Sequence, residues 1–422
     1  MAGRNACWLL GGLCVVATSF VAWRGLRVTT EGVERGARST SATTQARTAK
    51  VDARRPTRSN GFAADDATTM QEADVAPQGN RRSRDEVTSR KSGSAIEKVS
   101  SATAFTSASD CEHLLSMGRR AERTKGAARL ASWNVRWFPD GVAEDTPSSS
   151  QRTNVEWLAC AIAYLNVDAI ALQEIKSEPR SSVALNSLIL RLAELTREPH
   201  AYRLDSCSDE SNQHLAWIVN QNRAKSSGFR HHAAINPNGE ACAARLRPGF
   251  GVNLAFSGGL DLHAIAVHLK SGRERSDFVQ RRRSIRGIGV ATNEVAAASG
   301  EKDVVVLGDF NTMGCDGCEP APRGAAEALD IDTTIAGLRF PMRRIPPTLG
   351  CSHYYQSEPG LLDHVLVTAG TEEVPLSTKV SVEGYCRDLQ CESRTGRPPA
   401  AAIELSDHCP VVVEMLDRDL DG

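Results

Sequence analysis

Val304-Val305-Val306-Leu307-Gly308-Asp309-Phe310-Asn311-Thr312 is the stretch from which the rest of the chain is ordered. Four apolar, mostly β-branched residues predict a buried strand, and Gly308 marks the turn that ends it. Asp309 and Asn311 stand two residues apart, so in an extended chain their side chains leave on the same side. A carboxylate and an amide at a strand end suit a site that handles phosphate and metal. A polar surface turn is the plainer reading of the same residues.

The surrounding composition narrows the class. A chain of 422 residues with a formal charge of −1 has room for two or three domains. From Arg24 to Asp110 there are 15 basic and 11 acidic residues, and from Cys111 onward 34 basic and 40 acidic. The mildly acidic balance of the second part argues against a broad, indiscriminate nucleic-acid-binding face. Cys7 to Trp23 is an uncharged, largely apolar run, intermediate between a signal-peptide core and a short membrane span. Residues 1–23 are therefore expected to act as a signal peptide or membrane anchor. The remainder of the chain is then expected to be secreted, periplasmic or membrane-anchored, with membrane association through the N-terminus. Residues 24–125, rich in Ser, Thr, Ala and Arg, are expected to form a disordered tether, with one short helix within Cys111 to Arg120.

Ten cysteines follow the apolar run. Cys315/Cys318, Cys351 and Cys386/Cys391 fall in loop-like sequence where an oxidising compartment would pair them, and a disulfide is expected within Cys315-Asp-Gly-Cys318. Cys160 and Cys409 sit in apolar stretches and are expected to be small buried hydrophobes.

Folded structure is expected over residues 126–418. Leu130 to Val135, Ala169 to Leu172, Leu215 to Val219, Val252 to Phe256, Leu262 to His268, Leu361 to Val367 and Cys409 to Glu414 read as strands. Helical spacing covers Asn154 to Leu165, Ser182 to Thr196 and Asp277 to Val295. The alternation predicts one layered α/β domain.

Polar residues recur at the ends of these strands: Asn134, Glu174, His268, Asp309 with Asn311, Asp363-His364 and Asp407-His408. A single such residue is usually a solvated strand end; the repetition is the signal. Ser132-Trp133-Asn134, Leu172-Gln173-Glu174, His268-Leu269-Lys270-Ser271, Gly308-Asp309-Phe310-Asn311, Leu362-Asp363-His364-Val365 and Ser406-Asp407-His408-Cys409-Pro410 resemble the endonuclease/exonuclease/phosphatase superfamily. They occur in that family's order from Arg129 to about Leu416.

The resemblance implies a DNase I-like fold, a four-layer α/β/β/α sandwich of two packed, mainly antiparallel sheets. It implies that Glu174 binds a divalent metal with Asn134 and Asp407 close to it. A carboxylate, amide and water shell suits Mg²⁺ or Mn²⁺. Asp309 would orient or deprotonate the attacking water, and Asn311 would donate a hydrogen bond to a phosphate oxygen. Asp363 would hold His408, which would stabilise charge on the phosphorane-like transition state. His268 matches the DNase-like branch, in which that histidine assists the leaving group. Its acid partner has no clear match here; Gln213-His214, Asp209 and Glu210 lie in the corresponding region. Arg247, in Arg247-Pro248-Gly249, and Lys270 would touch the substrate phosphates. His364 would face the opposite side from Asp363 and is left out of the site.

The expected function is a metal-dependent phosphodiester hydrolase, a secreted or anchored nuclease acting on DNA or RNA. The run Arg281-Arg282-Arg283 with Arg286 would lie along a nucleic-acid backbone. A phosphatase or phospholipid phosphodiesterase of the same superfamily, sphingomyelinase- or inositol-phosphatase-like, is the alternative. A non-catalytic surface-binding protein is the third reading, and the joint presence of the polar strand-end residues speaks against it. No protein partner is implied.

Overall fold

The computed structural model describes residues 103–143, 148–177, 179–207, 213–240, 242, 247 and 249–420. In chain order these form α1 (Ala108–Ser116), β1 (Ala127–Phe138), α2 (Val155–Leu165), β2 (Ala169–Ile175), α3 (Arg180–Thr196), β3 (His200–Leu204), β4 (His214–Asn220) and β5 (Ala224–His232). They continue through β6 (Gly249–Phe256), β7 (Asp261–His268), α4 (Arg275–Ser299), β8 (Val304–Asp309), α5 (Gly324–Ala336), β9 (Met342–Arg344), β10 (His353–Tyr355) and β11 (Glu358–Gly360). The last elements are β12 (Asp363–Thr368), β13 (Ser381–Val382), α6 (Tyr385–Leu389), α7 (Ala400–Glu404) and β14 (Val411–Leu416).

Two six-stranded sheets carry the fold, one in the order β13-β14-β1-β2-β4-β3 and the other β5-β6-β7-β8-β12-β9. Most neighbours are antiparallel; β1 with β2 and β7 with β8 are parallel. Strands buried on both faces read as unbroken apolar runs, as at Val304–Leu307, because each sheet packs on its partner and on helices. One core joins the facing sheet surfaces with α1, α2 and α3. A second fills the space between the β7–β8–β12 sheet and helices α4 and α5 through Ile265, Val267, Ile288, Val306 and Ile331. This is the expected four-layer α/β/β/α sandwich.

Local chemistry fixes the element ends. Asn154 caps α2 by accepting the Trp157 N–H at 3.1 Å. Gly308 has φ 150°, and a Cβ there would meet the Val267 carbonyl oxygen at 2.0 Å, so only glycine lets β7 and β8 approach. The periodicity did not announce β3, β5, β9, the β10–β11 hairpin or α5, which are short or mixed in polarity.

The folded body starts earlier than residue 126. Residues 103–125, expected to belong to the tether, include α1, and Ala104 and Phe105 are buried. Phe105 lies edge-on to Trp133 and Tyr164, and the Ala104 carbonyl accepts the Trp157 indole N–H. Cys111 is bonded to Cys160, which ties α1 to α2. Cys160 and Cys409 are buried as expected, but as disulfide halves rather than free thiols, Cys409 with Cys386. Their partners lie in segments that no local pattern connects to them. The other bonds are Cys207–Cys242, Cys315–Cys318 and Cys351–Cys391. Residues 1–102, with the apolar run and most of the tether, lie outside the described residues. Among the described residues no helix is long and apolar enough to cross a membrane.

The arginine run on α4 is not a continuous cationic strip. Arg281 is fully buried; its Nε donates to Glu327 Oε1 at 2.6 Å, and its other nitrogens reach Glu327 Oε2 and the Lys270, Gly272 and Gly314 carbonyls. Arg282 pairs with Asp330 at 3.0 Å, leaving Arg283 and Arg286 exposed. Helical spacing turns adjacent arginines to different faces. Arg281 therefore locks the 270–272 and 314 loops to α5. Replacing one partner of a buried ion pair strands the other charge, so Arg281→Ala is expected to lower unfolding free energy by about 3–5 kcal/mol, measured by urea denaturation.

Candidate active site

Strand register assembles the site. His268 of β7 pairs with Asp309 of β8, and Asp309 pairs with Asp363 of β12, so three site residues lie in one row across neighbouring strands. The other sheet brings Asn134 of β1, in register with Gln173 beside Glu174. Asp407 and His408 lie just ahead of β14, separated from it by Cys409 and Pro410, and β14 runs antiparallel to β1. A register shift between Asn134 and Phe138 re-aims β1, and Arg136 and Trp137 take positive φ of 43° and 47°. Glu174 and Asn311 also have positive φ, of 63° and 51°. Left-handed backbone at polar strand ends is a usual mark of a functional constellation.

Glu174, His268, Asp309, Asn311, Asp407 and His408 line a cavity of about 380 Å³ with Arg136, Trp137, Ser271, Met313, His353, Tyr355 and Leu362. Asn134 Nδ2 donates to Glu174 Oε1 at 3.1 Å and to Asp309 Oδ2 at 3.0 Å, while its oxygen accepts the Arg136 N–H. Its amide thus braces two carboxylates, and Glu174, Asp309 and Asp407 all face the cleft. Glu174 Oε2 accepts the Trp137 N–H. Burial pushes the Glu174 carboxyl above its ordinary range, opposed by the Asn134 hydrogen bond and aided by the Asp407 charge.

Asp309 stands between two imidazoles. His268 Nε2 is 3.5 Å and His408 Nε2 3.8 Å from its Oδ2, and its Oδ1 accepts the Asn311 N–H. Burial raises Asp309 to about 7, with the His408 charge opposing and Asp363 adding. His408 Nδ1 is 2.9 Å from Asp363 Oδ2. Burial works against the imidazolium, but Asp363, Asp309 and Asp407 outweigh it and draw His408 up to about 10. His408 is therefore a cation at neutral pH, and Asp309 titrates near it. Asn311 lines the cavity but donates one Nδ2 hydrogen to the Leu269 carbonyl.

His268 lines the same cavity. Burial, together with the Arg247 and His408 charges, holds it well below the ordinary imidazole value, so it is neutral. Its Nδ1 is buried with no hydrogen-bond partner among the described residues. His214, from the region where an acid partner was sought, instead engages Asp205 at 2.9 Å and Ser177 at 3.2 Å. Asp209 and Glu210 lie outside the described residues.

Arg247 is buried within electrostatic reach of Glu174, Asp309 and Asp205, behind the carboxylates rather than in the cavity lining. Lys270 does not turn into the cavity; its Nζ pairs with Asp277 at 2.9 Å. His364 packs edge-on to Phe310 and contacts Thr312 Oγ1, away from Asp363's side.

Two residues escaped the sequence reading. Ser352 Oγ donates to Asp363 Oδ2 at 2.7 Å while accepting the Leu362 and Asp363 N–H groups. The His353 ring lies against that of His408, tilted by 51° with centroids 4.4 Å apart. Both come from the β10 segment, whose three strand residues give no periodic signal.

A family model described as the endonuclease/exonuclease/phosphatase family matches residues 131–408. No curated protein matches the sequence. Solved structures similar to it include an endonuclease/exonuclease/phosphatase from Bacteroides vulgatus, 14% identical, covering 69% of this chain and 99% of that one with a TM-score of 0.43. The human Nocturnin catalytic domain with bound sulfate is 16% identical, covering 71% and 97%, with a TM-score of 0.43. D. rerio TDP2 complexed with single-strand DNA product is 15% identical, covering 69% and 99%, with a TM-score of 0.45.

Proposed function

The chain belongs to the endonuclease/exonuclease/phosphatase family, a family of phosphoester hydrolases, and we propose that it is a divalent-metal-dependent nuclease working outside the cytoplasm. The observation that carries the reading is the convergence of Glu174, Asp309, Asp407 and His408 in one cavity, with Asp363 behind His408.

The donor set fits a hard cation. Three carboxylates share the cavity, and burial penalises the charge of two of them, which a cation would relieve. An oxygen-only set suits Mg²⁺ or Mn²⁺, which Glu174 and Asp407 would hold. Bound there, such an ion polarises phosphoryl oxygens. Asp309, titrating near neutrality, orients and deprotonates the attacking water. The His408 cation, oriented by Asp363, stands ready for the charge that develops on the phosphorane-like transition state. Neutral His268, beside Asp309, offers a hydrogen bond to an alkoxide leaving group.

Pairing of all ten cysteines beyond the N-terminal apolar run supports an oxidising compartment, in keeping with export or membrane anchoring. The test offers the purified full chain plasmid DNA, single-stranded RNA and a phosphodiester lipid panel, with Mg²⁺ or Mn²⁺ against EDTA. Metal-dependent cleavage of a nucleic acid is expected. Headgroup release from lipid with nucleic acid untouched would overturn the nuclease reading and keep the hydrolase.

A further inference from the structure

The wall of the cleft next to His408 is built of rings. His353 lies against His408, and Tyr355 lies nearly parallel to His353, inclined by 12° with centroids 6.5 Å apart. Backbone pairing sets this order: β10 is bridged to the catalytic segment at His353 and His408, and the Tyr354 N–H donates to the Asp407 carbonyl. Strand alternation sends Tyr354 inward, where it is buried and its hydroxyl donates to the Glu392 carbonyl. The flanking residues His353 and Tyr355 are left to the cleft. His353 is buried, but Tyr355 is 61% exposed while lining the same cavity.

Several of the cations near the cleft are already engaged. Arg281 is buried, Arg282 is paired with Asp330 and Lys270 with Asp277. A flat ring one imidazole away from the catalytic histidine offers a different grip. Nucleobases stack on such rings whatever their sequence. A base inside a continuous duplex already has both faces covered, whereas a single-stranded or unpaired base has a face to offer.

Resting on the nuclease reading of this same site, we propose that Tyr355, backed by His353, is the stacking platform for the base next to the scissile phosphate, and that the substrate is single-stranded or locally unpaired nucleic acid. Tyr355 is a specificity-determining residue in this scheme and takes no part in the bond changes.

The experiment uses the full chain with Mn²⁺ and two labelled single-stranded oligonucleotides of one sequence. One is intact; in the other the nucleotides flanking the cleavage position lack their bases. The wild-type protein is expected to prefer the intact strand in kcat/KM by about tenfold, the scale of one base–aromatic stack. Tyr355→Ala is expected to bring that ratio close to one, and Tyr355→Phe, which keeps the ring, to preserve it. A Tyr355→Ala ratio equal to the wild-type ratio overturns the platform while leaving the nuclease intact. Failure of the wild-type protein to cut either strand while it cleaves plasmid DNA overturns the platform and keeps the nuclease; failure on every nucleic acid overturns both.

Discussion

His408→Ala is expected to lower kcat by about 10³-fold with KM little changed, because it removes a preorganised cation that acts on the transition state rather than on the bound substrate. The structure gives this residue an unusually determined setting. Asp363 holds its Nδ1 at 2.9 Å, the Trp133 indole N–H donates to its carbonyl, and Ser406 Oγ accepts its N–H. Asp363→Asn should cost less, about 10²-fold, and it should also move the pH profile. With Asp363 and its neighbours in place the imidazolium persists to about pH 10. Removing one carboxylate takes away a group that favours the charged form, so the proton is lost at a lower pH. The alkaline limb of kcat should therefore begin near pH 10 in the wild-type protein and shift to lower pH in Asp363→Asn. Steady-state kinetics between pH 6 and 10.5 measure both effects. An unshifted limb would mean that a different group sets it.

Loss of the Cys386–Cys409 bond is the second large effect. Cys409 directly follows the Asp407-His408 pair, and its N–H donates to the Ser352 carbonyl. Cys351, directly before Ser352, is bonded to Cys391. The two segments that meet at the catalytic histidine are thus each held by a disulfide, closing sequence separations of 23 and 40 residues. Loop-closure entropy makes bonds of that span worth about 3–4 kcal/mol each. Joint replacement of Cys386 and Cys409 by serine is expected to lower unfolding free energy by about 3 kcal/mol. It should also depress kcat, since the replacement loosens the strand lead-in that positions His408. Joint replacement of Cys315 and Cys318, which closes a separation of only three residues, should cost much less stability. Urea denaturation and kinetics on the two double variants would show the contrast; equal losses would refute the link between the Cys386–Cys409 bond and the site.

Much of this protein is written in local sequence. The runs at Val304–Leu307, Ala169–Leu172 and Leu262–His268 declare buried strands because β-branched and apolar residues in unbroken or alternating series have few other stable settings. The polar residues that end those runs mark the site, since a turn at a strand end is the place where a carboxylate or imidazole escapes the core at little cost. Asn134, Glu174, His268, Asn311 and His408 all line or brace the cleft in which the motif order places them, with Asp363 directly behind.

Other features exist only through contacts between distant segments. The arginine run on α4 reads as one patch in sequence, yet Glu327, 46 residues from Arg281, turns its first member into an internal strut. Cys160 shows an apolar neighbourhood but not Cys111, and the tether's apparent end gives no hint that Phe105 reaches Trp133. Ser352, His353 and Tyr355 sit in a hairpin too short for any period to show. The sequence determined the strands, their polar ends and the chemistry those ends can support, because each follows from residue type and spacing within a few positions. Tertiary structure alone decided which cysteines pair, which arginines face water, that His268 is neutral while His408 is charged, and which rings line the cleft. Each of those depends on burial and on partners brought from elsewhere in the chain, quantities that no local window contains.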